Sequence, residues 1–231
     1  MIYLPKSSHA PASLAVESAK PNGDYRGEDV LLLLREDFKN KCYLCETKEP
    51  HDINVEHFIP HKGNLTLKFD WNNLFFACPH CNGTKLETVG ILNCTTDPDC
   101  DKRHRYSIGT PPSEAVAITH PLKIVNIVSI DSSAIAETTA VLLGHIYNGT
   151  TALKKLESEN LRKTLLRSVK EFKENLIAYY ENTSATFQAR QALHTKIISE
   201  LKNDSAFTAF KRWIIRDDAI YLQDFPESEW S

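Results

Sequence analysis

Two Cys-x-x-Cys pairs constrain the fold of this chain more than any other feature of its sequence. Cys42 and Cys45 form the first pair, Cys78 and Cys81 form the second, and 32 residues separate the pairs. Each pair places two sulfurs on one side of a tight turn, and four thiolates at the corners of a tetrahedron suit zinc. Such a shell leaves no position for water or substrate. We therefore predict a structural zinc site that joins two distant segments.

The compartment bears on how the six cysteines are interpreted. The sequence has no apolar stretch long enough to span a membrane and no convincing signal peptide at its start, so we expect a cytoplasmic protein. Thiols stay reduced there, which favours metal ligands or free thiols over disulfides. Cys94 and Cys100 could form a second site with His104, but their spacing is loose. We predict that they are ordinary reduced thiols.

Composition indicates a soluble globular protein but gives little sign of nucleic-acid binding. Of the 231 residues, 42% are hydrophobic and 25% are charged, and the net charge is −3. A protein that binds nucleic acid by itself usually has a basic balance. Any such contact is therefore expected to be local, or a partner helps to deliver the substrate.

The segment around the cysteines has the element order strand, loop, strand, helix. Residues 53–59 mix β-branched and aromatic side chains and end at Pro60, which favours a strand. A second apolar run meets the second cysteine pair, and Pro79 suits the first position of a helix. The predicted elements are a helix at 27–41, strands at 53–59 and 73–78 around a loop at 61–71, and a helix at 79–88.

The remainder of the chain is predicted to be mostly helical. Residues 90–121 are expected to be loop-like, 123–130 to form a strand, and the last dozen residues to be a surface tail. Helical periodicity marks 153–180, 187–202 and 205–216. We therefore predict an α+β fold divided into an extended N-terminal segment (1–26), a ββα-metal domain (27–110) and a mainly helical domain (111–231).

The residues between and after the cysteine pairs resemble the motif of the HNH endonucleases. That family's pattern is CxxC, then an acid–His–x–x–Pro segment, then Asn-Leu, then CxxC followed by Asn or His and a Lys three residues later. The matching residues here are Cys42, Cys45, Glu56, His57, Pro60, Asn73, Leu74, Cys78, Cys81, Asn82 and Lys85. The resemblance implies a ββα-metal finger and the hydrolysis of phosphodiester bonds.

The resemblance also implies a role for each residue. His57 would be the general base, and an imidazole suits that role near neutral pH. Glu56 and Asn82 would hold a catalytic Mg²⁺ or Mn²⁺, Asn73 would brace the loop between the strands, and Lys85 would reach a phosphate. Two departures weaken the metal assignment, because the family's acid is usually Asp and its third residue is often His. In a regular strand, moreover, neighbours such as Glu56 and His57 point to opposite faces.

The chain also has a narrower resemblance to the HNH nucleases of Septu and retron-type antiphage systems. It depends on the segments LPKSSHAPASL, EHFIPH and DWNNLFFAC and on the helical C-terminal half. In those systems the nuclease is encoded beside an ABC/SMC-like ATPase, so the resemblance implies an ATPase partner and antiviral defence. We predict a metal-dependent nuclease, with DNA as the preferred substrate.

Two alternatives stay open from the sequence. A zinc-ribbon module that binds nucleic acid or protein without catalysis would have the same cysteines, but it has no need of an acid–His pair. An RNase that cuts tRNA would use the same HNH site. His51, His61 and His80 also lie in this region, and among them His61 is predicted to contact substrate.

Overall fold

The structure is a computed structural model that describes residues 1–109, 124–181 and 186–230. Helices and strands both occur in these ranges, which confirms the predicted α+β class. The helices are α1 (Ala12–Ser18), α2 (Glu28–Asp37), α3 (Leu65–Phe69), α4 (Pro79–Lys85), α5 (Ala134–Asn148), α6 (Ala152–Glu181), α7 (Phe187–Leu201), α8 (Thr208–Arg216) and α9 (Ala219–Asp224). The strands are β1 (Asn54–His57), β2 (Leu74–Ala77), β3 (His104–Gly109) and β4 (Ile124–Ser129).

The predicted ββα unit is present. Strands β1 and β2 pair antiparallel, with Glu56 opposite Phe75 and His57 opposite Leu74. All four residues of β2 are buried, so this strand fixes the unit to the apolar core. Helix α4 follows directly, with Pro79 at its first turn as predicted.

Helix α2 is shorter than the predicted helix at 27–41. Its first turn contains Glu28 and Asp29, as the sequence suggests, but it ends at Asp37. Lys39 and Asn40 have φ values of 54° and 55°, a left-handed conformation that a helix does not continue. The chain thereby turns toward the first cysteine pair.

The expectations of irregular structure at 1–26 and of a loop at 61–71 were wrong in part, because each stretch contains a short helix. Helix α1 lies in the first segment because Leu14 is buried and the Ser13 hydroxyl donates to Asp29 over 2.5 Å. Helix α3 lies in the second, where the Asn64 side chain accepts from the Leu67 N–H over 3.1 Å. An asparagine cap of this kind is a strong local start signal.

Strand β4 confirms most of the strand predicted at 123–130, but its partner β3 lies in a stretch expected to be loop-like. Tyr106 of β3 is buried, and the pairing runs from His104 opposite Ser129 to Gly109 opposite Ile124. Position 123 and residues 110–121 of the loop predicted at 90–121 lie outside the described residues.

Helices α6, α7 and α8 agree closely with the predicted helices, whereas the surface tail was a wrong prediction. Phe225 and Trp230 are buried in a cluster with Phe172 and Ile197. The Trp230 indole N–H donates to the Phe225 carbonyl over 3.1 Å. The C-terminal residues therefore pack against α6 and α7.

One apolar core includes residues on both sides of the predicted domain boundary, among them Phe75, Tyr106, Leu143 and Phe210. The boundary near 110 lies outside the described residues, and the division into domains stays a prediction. In the described part of the chain, no helix has the length and apolarity needed to cross a bilayer.

Candidate active site and metal centre

The four predicted zinc ligands lie together. The sulfurs of Cys42, Cys45, Cys78 and Cys81 are all within 4.8 Å of one another, and those of Cys45 and Cys78 are 3.9 Å apart. A tetrahedron with zinc–sulfur bonds of about 2.3 Å has edges of about 3.8 Å. The donor set and its dimensions therefore fit a closed structural zinc site.

Local backbone geometry presents each pair of sulfurs. At the first turn, the Glu46 N–H donates to the Cys42 carbonyl over 2.9 Å, and Glu46 has a left-handed φ of 57°. At the second, Cys78 immediately precedes α4 and Cys81 lies within it. Burial raises the pKa of the Cys81 thiol well above its usual range, so a cation bound at this position would favour the thiolate.

Cys94 and Cys100 lie apart from this cluster. Both are fully buried, and burial raises the pKa of Cys94 to about 12. Buried thiols of high pKa are unreactive. Nε2 of His104 donates to the Ala136 carbonyl over 2.7 Å, which gives this histidine a structural role. These contacts agree with the prediction of ordinary reduced thiols.

A cavity of about 340 Å³ opens beside the ββα unit. It contains three of the predicted site residues, Glu56, His57 and Asn82, while Asn73 and Lys85 are buried and are not part of its lining. The lining residues are Tyr25, Val55, Glu56, His57, Pro60, His61, Lys62, Asn82, Leu86 and Glu87. Glu56 and His57 thus reach the same cavity, because His57 is the last residue of β1.

His57 is oriented by a backbone carbonyl. Its Nε2 lies 3.0 Å from the carbonyl oxygen of Lys68, which can only accept, so the hydrogen of the neutral ring is on Nε2. Among the described residues, none hydrogen-bonds Nδ1, which is left with a lone pair. Burial lowers the pKa of His57 below its ordinary value. The neutral form that a general base needs is thereby favoured.

Two more rings surround this imidazole. The centroid of Tyr25 is 4.5 Å from that of His57, with an edge-type arrangement, and the centroid of His61 is 4.6 Å away. Nδ1 of His61 accepts from the Gly63 N–H over 3.1 Å, so in the neutral ring Nε2 carries the hydrogen. His61 is therefore a hydrogen-bond donor within the cavity.

Asn73 joins the two ends of the loop between the strands. Its Nδ2 donates to the carbonyls of Ile59 and Leu67 over 2.8 and 2.9 Å, and its Oδ1 accepts from the Ile59 N–H over 2.7 Å. The residue is buried, so these bonds have little competition from water. Asn73 thereby connects Ile59 to α3, and its bracing role stays a prediction.

Lys85 has a different environment from the one expected. It is fully buried, and its Nζ donates to Oε1 of Glu56 over 2.8 Å and to the His57 carbonyl over 3.0 Å. Its ammonium therefore does not reach the cavity surface, where contact with a phosphate was expected. The long side chain instead spans from α4 to β1 and holds Glu56 in place.

The environment of Glu56 fits a hard cation. Burial raises the pKa of its carboxyl, and the bond from Lys85 opposes this shift. Among the described residues no partner reaches Oε2, and the half-buried Asn82 lines the same cavity. A carboxylate and an amide oxygen beside open space suit Mg²⁺, which keeps several of its waters.

Sequence reasoning missed five residues that line the cavity, namely Tyr25, Val55, Lys62, Leu86 and Glu87. Tyr25 comes from a segment that was expected to be extended, and Leu86 follows the last residue of the motif, so no local signal marks either of them. Of the other histidines, His80 donates from Nε2 to the Ile146 carbonyl over 2.8 Å, and its Nδ1 lies 2.7 Å from the Glu157 carboxylate. His51 is exposed and lies outside the cavity lining.

Comparisons with known proteins agree with this geometry. Residues 42–87 match the model of the HNH endonuclease family. The chain is 35% identical to the Septu protein PtuB of Bacillus thuringiensis over 112 residues. That alignment covers 42% of this chain and 43% of the relative, so the similarity spans less than half of either protein. Residues 42–87 are thus similar to HNH endonucleases, and part of the chain is similar to a Septu protein.

Proposed function

From the HNH domain at residues 42–87, we propose that this chain is a metal-dependent endonuclease that hydrolyses phosphodiester bonds, with DNA as its main substrate. The observation that carries the proposal is the orientation of His57. Nε2 donates to a backbone carbonyl, which leaves Nδ1 as a proton acceptor in a cavity that Glu56 and Asn82 also line. A pure binding module has no need of such an acceptor.

In the proposed reaction, Nδ1 of His57 takes a proton from the attacking water. The Lys68 carbonyl and the ring of Tyr25 hold the imidazole in the required tautomer and plane. The Nε2 hydrogen of His61 donates to an oxygen of the phosphate. Glu56, held by Lys85, and Asn82 would bind a divalent ion, which supplies positive charge to the phosphate and the leaving oxygen when bound.

The zinc cluster has a supporting role in this proposal. It joins the turn before β1 to the start of α4, and this fixes Asn82 and Lys85 relative to His57. Four thiolates leave no open position on the metal. Zinc is therefore proposed to stabilise the fold and not to take part in hydrolysis.

The charge around the cavity supports a partner that delivers the substrate. The exposed Lys62 pairs with Glu87 over 2.7 Å, and Arg26, next to Tyr25, pairs with Asp24 over 2.9 Å. The charges of these two side chains are partly neutralised by their acidic partners. Because each contact with a phosphate needs an available cation, the cavity region is expected to bind nucleic acid only weakly by itself. We propose that a protein partner, an ATPase of the ABC/SMC-like kind, presents the nucleic acid in an antiphage system. A cytoplasmic location stays a prediction.

The test is cleavage of plasmid DNA and of total RNA by the wild type and by His57→Ala. Each reaction is run with Mg²⁺, with Mn²⁺ and with EDTA. We expect metal-dependent cutting that His57→Ala lowers by at least about a hundredfold, in line with the loss of a general base. His51→Ala is the matched control, because His51 is exposed and lies outside the cavity lining.

The two substrates separate a DNase from an RNase that uses the same site. Equal cutting by the wild type and His57→Ala would refute the assigned base. Binding of either nucleic acid without any cutting, with or without a candidate ATPase, would instead favour the non-catalytic zinc module.

A further inference from the structure

Leu86 occupies a turn position that normally belongs to glycine. The Thr88 N–H donates to the Lys85 carbonyl over 2.9 Å, which closes a four-residue turn with Leu86 as its first central residue. Leu86 has φ 48° and ψ −121°. This combination is close to a type II′ turn, whose first central position favours glycine because a Cβ there is strained.

The conformation of Leu86 is not stabilised by burial of its side chain. The residue is 69% exposed, so most of its apolar surface remains in contact with water. A bulky residue at positive φ is an outlier, and outliers of this kind concentrate at functional sites. Glycine at this position would remove both the backbone strain and the exposed apolar side chain. The presence of leucine therefore implies that its side chain has a function.

The position of Leu86 indicates that use. Leu86 lines the same cavity as Glu56, His57 and Asn82. The residue before it, Lys85, is fixed by bonds to Glu56 and to the His57 carbonyl over 2.8 and 3.0 Å. Leu86 therefore directly follows a residue that is anchored to β1, and it lines the same cavity as the proposed base.

We propose that Leu86 contacts the substrate, with its side chain packed against the sugar and base of the nucleotide beside the scissile phosphate. This inference rests on the proposed nuclease function. An apolar side chain gains nothing from contact with a phosphate but does gain from covering the faces of a sugar or a base. A partner protein seated on Leu86 would cover the cavity, so the nucleic acid is the occupant that fits.

The test compares three variants of the full chain with the wild type. Leu86→Gly removes the side chain and the strain together, and Leu86→Met keeps an apolar side chain. Leu32→Gly is the control, because Leu32 is 57% exposed but belongs to α2 and does not line the cavity. Melting temperature and the single-turnover cleavage rate are measured for each.

We expect opposite effects at the two positions. Leu86→Gly should leave Tm unchanged or raise it by up to about 4 °C, because the relief of strain outweighs the added freedom of the unfolded chain. Its cleavage rate should fall about tenfold or more. Leu86→Met should cut within about threefold of the wild type. Leu32→Gly should lower Tm, since glycine disfavours a helix, and should leave cleavage unchanged.

A second readout is independent of cleavage. An oligonucleotide containing 2-aminopurine is bound by His57→Ala with and without Leu86→Gly, and a change in fluorescence that needs Leu86 supports the contact. If the wild type cuts and Leu86→Gly cuts equally well, the contact is refuted and the nuclease proposal survives. If the wild type neither cuts nor binds any nucleic acid, both proposals are refuted.

Discussion

The ion pair between Lys85 and Glu56 should stabilise the fold far more than a second pair beside the same cavity. The two pairs have almost the same geometry, with nitrogen–oxygen distances of 2.8 Å for Lys85–Glu56 and 2.7 Å for Lys62–Glu87. Their exposure differs sharply. The side chains of the first pair are 0% and 7% exposed, and those of the second are 65% and 71% exposed.

Lys85→Met should therefore lower the stability of the fold strongly. It leaves the Glu56 carboxylate buried without its cation, and removal of one partner from a buried pair costs about 3–5 kcal/mol in the free energy of unfolding. For a chain of this size, 1 kcal/mol corresponds to about 2–4 °C in Tm. We expect Tm to fall by about 10 °C. Lys62→Met breaks an exposed pair, which water and salt screen, and should change Tm by less than about 2 °C.

The measurement is thermal unfolding of the zinc-loaded chain, followed by circular dichroism, for both single variants and for Lys85→Met combined with Glu56→Leu. The double variant removes both charges, so no charge is left buried, and it should recover more than half of the lost Tm. Equal shifts for the two lysine variants would contradict the reasoning, as would a double variant no more stable than Lys85→Met.

Three further predictions follow from the site. Asn73→Ala removes three buried hydrogen bonds and should lower the free energy of unfolding by about 2–4 kcal/mol in urea titrations; a change below 1 kcal/mol would contradict the bracing role. Because burial lowers the pKa of His57, the cleavage rate should rise with pH through a midpoint below about 6.5, and a midpoint above 7 would argue against His57 as the base. Elemental analysis should find about one zinc per chain, and Cys45→Ser should lower both the zinc content and Tm.

The sequence predicts the parts of this molecule whose signals are local. The two cysteine pairs, Pro79 at the start of a helix, and the order of residues from Glu56 to Lys85 were sufficient to predict the ββα unit and the cluster of four cysteines. Asn73 was assigned a bracing role through the same motif. Each of these features depends on spacing within fewer than about fifty residues.

Features set by distant packing were not predictable in the same way. Strand β3 exists because β4 pairs with it, although the stretch that contains it was expected to be a loop. Trp230 looked like part of a surface tail, but its burial depends on residues of α6 and α7. Lys85 was expected at a phosphate, because its position in the motif does not reveal whether the side chain turns inward. Tyr25 reaches the cavity from a segment with no motif of its own.

The first cysteine turn is also bound to the C-terminal helices. The N–H groups of Phe207 and Ala209 donate to the carbonyl and the carboxylate of Glu46 over 3.2 and 3.1 Å, and the Tyr147 hydroxyl donates to the Cys45 carbonyl over 2.7 Å. A fragment of the protein that contains only the first cysteine turn and the ββα unit would lose all three bonds.

This dependence has an evolutionary consequence. A recombination event that transplants the ββα unit into another protein would expose polar groups that are now satisfied by α5 and by the start of α8. Chimeras of related chains should therefore fold best when residues 42–47, helix α5 and residues 200–212 come from the same parent. The ββα unit is in this sense inherited together with its helices, and changes in one should be matched by changes in the other.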